Sequence, residues 1–325
     1  MLNKQLVKYR CDMHCHTNRS DGKTTPQDVI DRAVTLGMKV IAITDHDIVP
    51  PETMSVDGVE LDPRRYAKSK GLRLILGYEF STDTYVNDVH ILGLELDWSR
   101  PEVKQEMERA KLSKNDAYRK LCSVLTRKGM PLDYDQEILR YADKNGEIRV
   151  REPDEVQKKF IFEKMAEKGY AKSWGEAKIM VQSDPDLNIP RERIDPFQAI
   201  KLIHDCGGLA VLAHPHLIDE VVESPTFGRM SREKYIEGLI AHGLDGIEAR
   251  YTYDKTSYKG HMTVEEIARE VRERYGSRLL ISGGSDYHGS KPGAEDPREI
   301  GEAGISYDEF LKLFPEEHCE EGCEC

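Results

Sequence analysis

The chain has 325 residues, enough for one large domain or two ordinary ones at roughly 150 residues each. With 47 Lys and Arg against 59 Asp and Glu, its formal net charge of −12 argues against coating long nucleic acid by bulk electrostatics, and leaves a small charged substrate open. No apolar run approaches the ~20 residues of a bilayer span, and 38% hydrophobic with 33% charged residues is ordinary globular composition, so no membrane partner is expected.

The first ten residues hold Lys4, Lys8 and Arg10 without an apolar stretch of signal-peptide length, which makes the cytoplasm the expected location. Strand-like apolar runs then recur between turn residues, at 9–13, 40–44, 72–76, 89–94, 209–213, 246–250 and 279–282. Most are apolar throughout rather than alternating, the pattern of parallel strands buried under helices on both faces. Between them lie helix signals. Thr25, Pro26 and Asp28 read as a capped start that Gly37 closes, Asp195 and Pro196 open a helix running to about Cys206, and Thr263 with Glu266 forms a capping box for another. Alternating strand and helix predicts an α/β fold with a largely parallel sheet, closed into a barrel by extension.

The stretch 99–194 differs in kind, being charge-rich, helical in period and carrying a capping box at Ser173 and Glu176. It reads as an inserted helical domain that divides the barrel into 1–98 and 195–305, with 306–325 as a C-terminal segment. Within it, 101–130 has eight basic residues (Lys104, Arg109, Lys111, Lys114, Arg119, Lys120, Arg127 and Lys128) against four acidic ones. These are either a solvated helix face or cations that reach substrate phosphate. Of seven cysteines, Cys11, Cys15, Cys122 and Cys206 stand singly inside predicted elements, which suits reduced thiols. Cys319, Cys323 and Cys325 lie in a Glu-rich tail that reads better as a solvated terminus than as a metal grip.

Eleven histidines are present, and six fall at or beyond the ends of predicted strands beside acidic residues. The first strand leads into Asp12-Met13-His14-Cys15-His16 and then Asp21, and the second into Asp45-His46-Asp47. The third is followed by Glu79, His90 opens the fourth, the fifth ends in His214-Pro215-His216, and the seventh in Ser285-Asp286-Tyr287-His288. Residues two apart on an extended segment point the same way, so His14 and His16 can share an ion. Packing does not explain five strands delivering His, Asp or Glu to one sheet edge, because a buried charge costs several kcal/mol unless paired or bound to a cation. Imidazole mixed with carboxylate suits zinc, manganese or iron. Asp45 and Asp47 either orient His46 or cap the next loop. His216, Arg250, Tyr251, Ser282 and Ser285 flank the proposed ligands and are candidates to line a substrate pocket, Ser285 also to hold the turn that presents Asp286. There is no Gly-rich loop ending in Lys-Ser/Thr and no G-x-S-x-G elbow, which disfavours ATP-driven transfer and serine hydrolysis.

These motifs, H-x-H at His14 and His16, T-D-H from Thr44 to His46, A-H-P from Ala213 to Pro215 and D-x-H from Asp286 to His288, resemble in order the four motifs of the polymerase and histidinol phosphatase (PHP) family of metal-dependent phosphoesterases. The resemblance covers about 9–98 and 195–290. It implies a distorted (β/α)7 barrel, with two or three divalent ions at its C-terminal face. By position, His14, His16, Glu79 and Asp286 would hold one ion. Glu79 would bridge to a second that His90 and His214 also bind, and Asp21, His46 and His288 would hold the third. Glu79, Asp286 and His288 would thereby carry the catalytic work. Clustered ions of this kind activate water near neutral pH and offset charge on phosphoryl oxygens.

The long insertion resembles the subgroup acting on nucleotide 3',5'-bisphosphates and on the 5' ends of short RNA. Where its members often carry Arg-Pro-His, this chain has Arg149-Val150-Arg151-Glu152-Pro153, followed by Lys158, Lys159 and Phe160. Arg119, Arg151, Lys158 and Lys159 are the candidate substrate-phosphate contacts. The expected activity is therefore hydrolysis of a small phosphomonoester, a nucleotide bisphosphate or a short RNA end. Histidinol phosphate is the alternative substrate, and a non-catalytic metal-binding regulatory module the alternative of another class.

Overall fold

A computed structural model describes residues 7–83, 85–143, 146–225, 228–256, 258–289 and 298–315. The Cys319, Cys323 and Cys325 tail lies outside them. The chain divides into two compact units, one formed by 1–104 with 194–325 and the other by 105–193.

The first unit is built on a seven-stranded sheet whose spatial order is its chain order: β1 (Cys11–Cys15), β2 (Val40–Ile43), β3 (Arg73–Ser81), β4 (His90–Leu94), β5 (Leu209–Leu212), β6 (Gly246–Arg250) and β7 (Leu280–Gly283). The sheet nearly closes on itself, since Cys15 bridges to Tyr287 beyond β7 and His16 N–H donates to the Tyr287 carbonyl at 2.8 Å. Pairing is parallel except around β4, which runs antiparallel to both β3 and β5. A parallel return needs a crossover of a dozen or more residues, and the connection 82–89 is too short to supply one.

Helices α1 (Pro26–Leu36), α2 (Pro63–Ser69), α6 (Pro196–Asp205), α7 (Arg232–Ala241), α8 (Val264–Tyr275) and α9 (Tyr307–Leu313) belong to this unit. The signals read for α1 are all used: Thr25 caps, Asp28 returns the bond to complete the box, and Gly37 stops the helix at φ 75°. The apolar faces of α1 (Val29, Ile30, Ala33) and of β2 and β3 (Ile41, Ile43, Leu74, Leu76) share one core, and Val40, Ala42, Ile75, Leu92 and Val211 share another. Burying an aliphatic side chain of this size is worth about 1.5–3 kcal/mol, which is what holds the strand ends in register.

The second unit contains most of α3 (Pro101–Arg127), then α4 (Lys158–Glu167), α5 (Trp174–Ser183) and a short hairpin of Arg140–Ala142 with Ile148–Val150. Leu121, Leu125, Ile161, Met165 and Val181 form its core. Ser173 caps α5, while Glu176 reaches back to the Lys172 N–H, so the second half of the expected box falls one residue early. No helix among the described residues is long and apolar enough to cross a membrane.

Candidate metal centre

Two strands run further than their sequences suggest, and this changes where the ligand-type residues sit. β1 continues through Cys15, so His14 is inside the strand and His16 just beyond it, both fully buried, with Nε2 atoms 3.1 Å apart. β3 continues to Ser81, placing Glu79 within the strand rather than after it. Gly77 reads as a strand stop but marks close packing instead: a Cβ there would lie 2.8 Å from the Thr44 methyl and 2.9 Å from Leu94 Cδ2.

Glu79 is the hub. Its Oε2 lies 3.0 Å from His14 Nε2, 3.0 Å from His16 Nε2 and 3.2 Å from His46 Nδ1, and its Oε1 lies 2.7 Å from His90 Nδ1 and 3.1 Å from His214 Nε2. Five ring nitrogens thus converge on two oxygens that offer about four lone-pair positions, and two of those nitrogens face each other. Protons alone cannot satisfy this arrangement, whereas lone pairs directed at cations can. His214 adds a buried Nδ1 with no hydrogen-bond partner among the described residues. Its backbone sits at φ 29°, a left-handed conformation that a non-glycine residue adopts at a cost of about 1–3 kcal/mol.

By distance the donors fall into three groups, His14 with His16 and Glu79, His46 with Glu79 and His90, and His16 with Asp21, His46 and His288, each with ligand atoms within 4.8 Å of one another. His16 and His46 each belong to two groups, unlike the partition the resemblance implies. Asp286 Oδ1 lies 3.0 Å from His16 Nε2 and 3.3 Å from His288 Nδ1, and His288 Nε2 lies 3.0 Å from Asp21. The inner side chains are sealed, while Asp21, His46 and His288 are 43%, 26% and 22% exposed, so the cluster opens to solvent on that side. Burial would raise the Glu79 and Asp286 carboxyls, but the surrounding imidazoles hold both well below the usual range. Burial would likewise lower His16, yet Asp286 and Glu79 push it up to about 10, and burial takes His46 down to about 4. The donor set fits divalent ions: imidazoles and carboxylates converge without a cysteine ligand, and an ion bound there would displace the protons that these groups otherwise share.

Behind these side chains lie further carboxylates, of which Glu248 and Asp12 were given no role by sequence reasoning. Glu248 on β6, wholly buried, meets His14 Nδ1 at 3.2 Å and accepts from the His214 N–H at 2.8 Å. Asp12 accepts from the N–H of Ser285 at 2.9 Å and its hydroxyl at 2.6 Å, from Gly301 N–H at 2.9 Å and from His14 N–H at 3.2 Å. Burial outweighs those bonds and pushes its carboxyl up to about 6. Ser285 therefore holds the turn that presents Asp286. Asp45 binds Thr17 through N–H and hydroxyl at 2.8 and 2.7 Å and Ser20 at 2.5 Å, fixing the loop after β1 rather than the His46 ring. Asp47 accepts from Ser81 N–H at 3.0 Å. Gly284 brings β7 against β1, since a Cβ there would lie 2.3 Å from His14 Cβ. Glu248, Asp12 and Gly284 each carried one signal, an acid or glycine within an apolar run.

The remaining candidates have other partners. His216 pairs with Glu270 at 3.3 Å and packs edge-on against Tyr253. Arg250 reaches Glu309 at 3.1 Å and Gly304 O, Ser282 is buried, and Tyr251 donates to Asp286 Oδ2 at 2.6 Å. In the second unit, Arg119 binds Asp135 and covers the Tyr134 ring. Arg151 lies between the Tyr141 and Phe160 rings at 3.8 and 4.1 Å and donates to Ile138 O. Burial lowers Lys158, and Lys159 stands 5.5 Å over Phe160. Much of the basic run is salt-bridged on a solvated surface, as with Arg109 to Glu106, Lys111 to Glu108 and Lys128 to Asp184.

Comparison with known proteins gives matches across most of the chain. The PHP domain matches residues 12–171. A 5'-3' exoribonuclease of Haemophilus influenzae is 28% identical over 73% of this chain and 77% of its own. A 3',5'-nucleoside bisphosphate phosphatase of Chromobacterium violaceum is 24% identical over 88% and 89%. A solved structure from Bifidobacterium adolescentis, assigned as a metal-dependent phosphoesterase, superposes with a TM-score of 0.67 at 23% identity, covering 96% of this chain and 97% of that one.

Proposed function

The chain belongs to the PHP family of metal-dependent phosphoesterases, and on that premise we propose that it removes phosphate from a small phosphomonoester, a nucleoside 3',5'-bisphosphate first. The observation that supports a hydrolytic centre best is the convergence of five imidazoles on Glu79, with Asp286 beside them and an opening at Asp21, His46 and His288. Two or three divalent ions, manganese, iron or zinc, would supply activated water and offset the charge developing on phosphoryl oxygens.

In this reading His14, His16, Asp21, His46, Glu79, His90, His214, Asp286 and His288 hold the ions. Glu79 fixes the spacing of the five imidazoles that touch it. Asp286 turns Oδ1 toward them while Tyr251 holds Oδ2, so its orientation is set before substrate arrives. Asp21 and His288 form the rim past which substrate enters. Glu248 holds His14 by Nδ1, leaving Nε2 directed inward. A nucleotide substrate is favoured over histidinol phosphate because matching relatives are named for nucleoside bisphosphates and RNA ends.

Phosphate release from adenosine 3',5'-bisphosphate, histidinol phosphate and a short 5'-phosphorylated RNA, each with manganese and with chelator, tests the assignment. Fastest chelator-sensitive release from the bisphosphate is the expected result. Release from histidinol phosphate alone would overturn the substrate while leaving the hydrolytic centre.

A further inference from the structure

The resemblance places phosphate-gripping cations in the insertion, yet one guanidinium stands against the candidate centre itself. Arg298 donates through Nη1 to the Asp286 carbonyl at 2.9 Å and to Asp286 Oδ2. The other oxygen of the same carboxylate faces His16 Nε2 at 3.0 Å, so Arg298 is separated from the imidazole cluster by a single carboxylate. Among the described residues its Nε and Nη2 have no hydrogen-bond partner, neither is a buried unsatisfied atom, and the side chain is 24% exposed. A guanidinium has five donors in a planar fork, and the Nε/Nη2 edge left open here is one that takes two oxygens of a phosphate at once. Arg19 and Lys23, on the loop after β1, instead donate to the backbone carbonyls of Val49 and Gly289.

Orienting Asp286 does not account for the arginine. Tyr251 already donates to the same Oδ2 at 2.6 Å, and the backbone turn at Asp286 is tied to Asp12 through Ser285. An ion held by Asp286 and its neighbouring imidazoles would supply the positive charge that the carboxylate needs and would leave the guanidinium free to serve an anion.

We infer that Arg298 is a substrate-binding residue of this centre, presenting its Nε/Nη2 edge to the phosphoryl group that is hydrolysed. The inference rests on the phosphoesterase reading and adds to it a contact outside the four histidine and aspartate motifs.

The test uses full-length protein loaded with manganese, its metal content measured by mass spectrometry, and titrates inorganic phosphate by calorimetry into wild type, Arg298→Lys, Arg298→Gln and Tyr251→Phe. Arg298→Lys keeps the charge beside Asp286 but lacks the fork. Both Arg298 variants are expected to keep wild-type metal content, bind phosphate roughly 10- to 100-fold more weakly and raise KM for the best substrate by a similar factor. Tyr251→Phe removes the other donor to Asp286 Oδ2 and is expected to weaken phosphate less than either Arg298 variant does. Wild-type phosphate affinity in Arg298→Lys and Arg298→Gln would overturn the inference alone. Loss of metal in the Arg298 variants, matched by Tyr251→Phe, would assign the arginine to positioning Asp286 and also overturn it. A metal-loaded wild type that neither binds phosphate nor releases it from any ester would overturn the inference together with the reading beneath it.

Discussion

At Glu248 a carboxylate with no solvent exposure is shared between the His14 ring and the His214 backbone, tying β1 and the end of β5 to β6. Such a partner fixes which ring nitrogen carries the proton and so which one is free for an ion. Glu248→Gln is expected to lower manganese affinity roughly 10- to 100-fold with the far-UV circular dichroism unchanged, and unchanged affinity would show that His14 does not need this partner. The nine ligand-type positions were legible in the sequence because His, Asp and Glu at strand ends have few other reasons to gather. Glu248 and Asp12 were visible only as acids within apolar runs, and which atom each would hold depends on strand register. Arg298 has no pattern at all; the fold alone carries it back to Asp286.

At the scale of elements, the periodicity of the seven apolar runs located every strand of the main sheet, and cap chemistry located α1, α6 and α8 within a residue or so. Strand direction was less legible. The reversal of β4 follows from the length of a connection, and the continuation of β3 past Gly77 from a close approach to Thr44 and Leu94 that no local signal announces. α9 shows how a short helix is held. Glu309 completes its own capping box with Ser306 and pairs with Arg272 of α8 at 2.6 Å and Arg250 of β6 at 3.1 Å. Burial would raise this carboxyl, but the Ser306 N–H and the two arginines outweigh it and hold it at about 2, below the ordinary glutamate value of about 4.5. A depressed carboxyl contributes stability that is complete above its unfolded value and lost as pH falls toward its folded value, here from about 4.5 to about 2. In urea titrations, Glu309→Gln is expected to be less stable than wild type at pH 7, by up to about 3 kcal/mol, with the gap closing as pH falls through that window. A gap that does not depend on pH would mean that packing, not charge, holds α9.

Over the whole molecule, the clusters around Ile41 and Leu74 and around Val40 and Ile75 lie in the barrel unit, and packing of this kind holds the strand ends there. The net charge of −12 argues against a broad polyanion-binding surface, and positive charge at the centre would be local, from Arg298 and from ions that the donor set fits. The account therefore turns on Glu79, which touches the imidazoles of His14, His16, His46, His90 and His214. The most direct measurement is metal content and phosphate release from adenosine 3',5'-bisphosphate for wild type, Glu79→Gln and Asp286→Asn, with folding followed by circular dichroism. Both variants are expected to stay folded, to lose at least one ion per chain and to turn over roughly 1,000-fold more slowly or worse, in keeping with loss of metal-assisted catalysis. Folded variants that keep wild-type metal content and near wild-type rates would contradict the assignment of this cluster as the reactive centre.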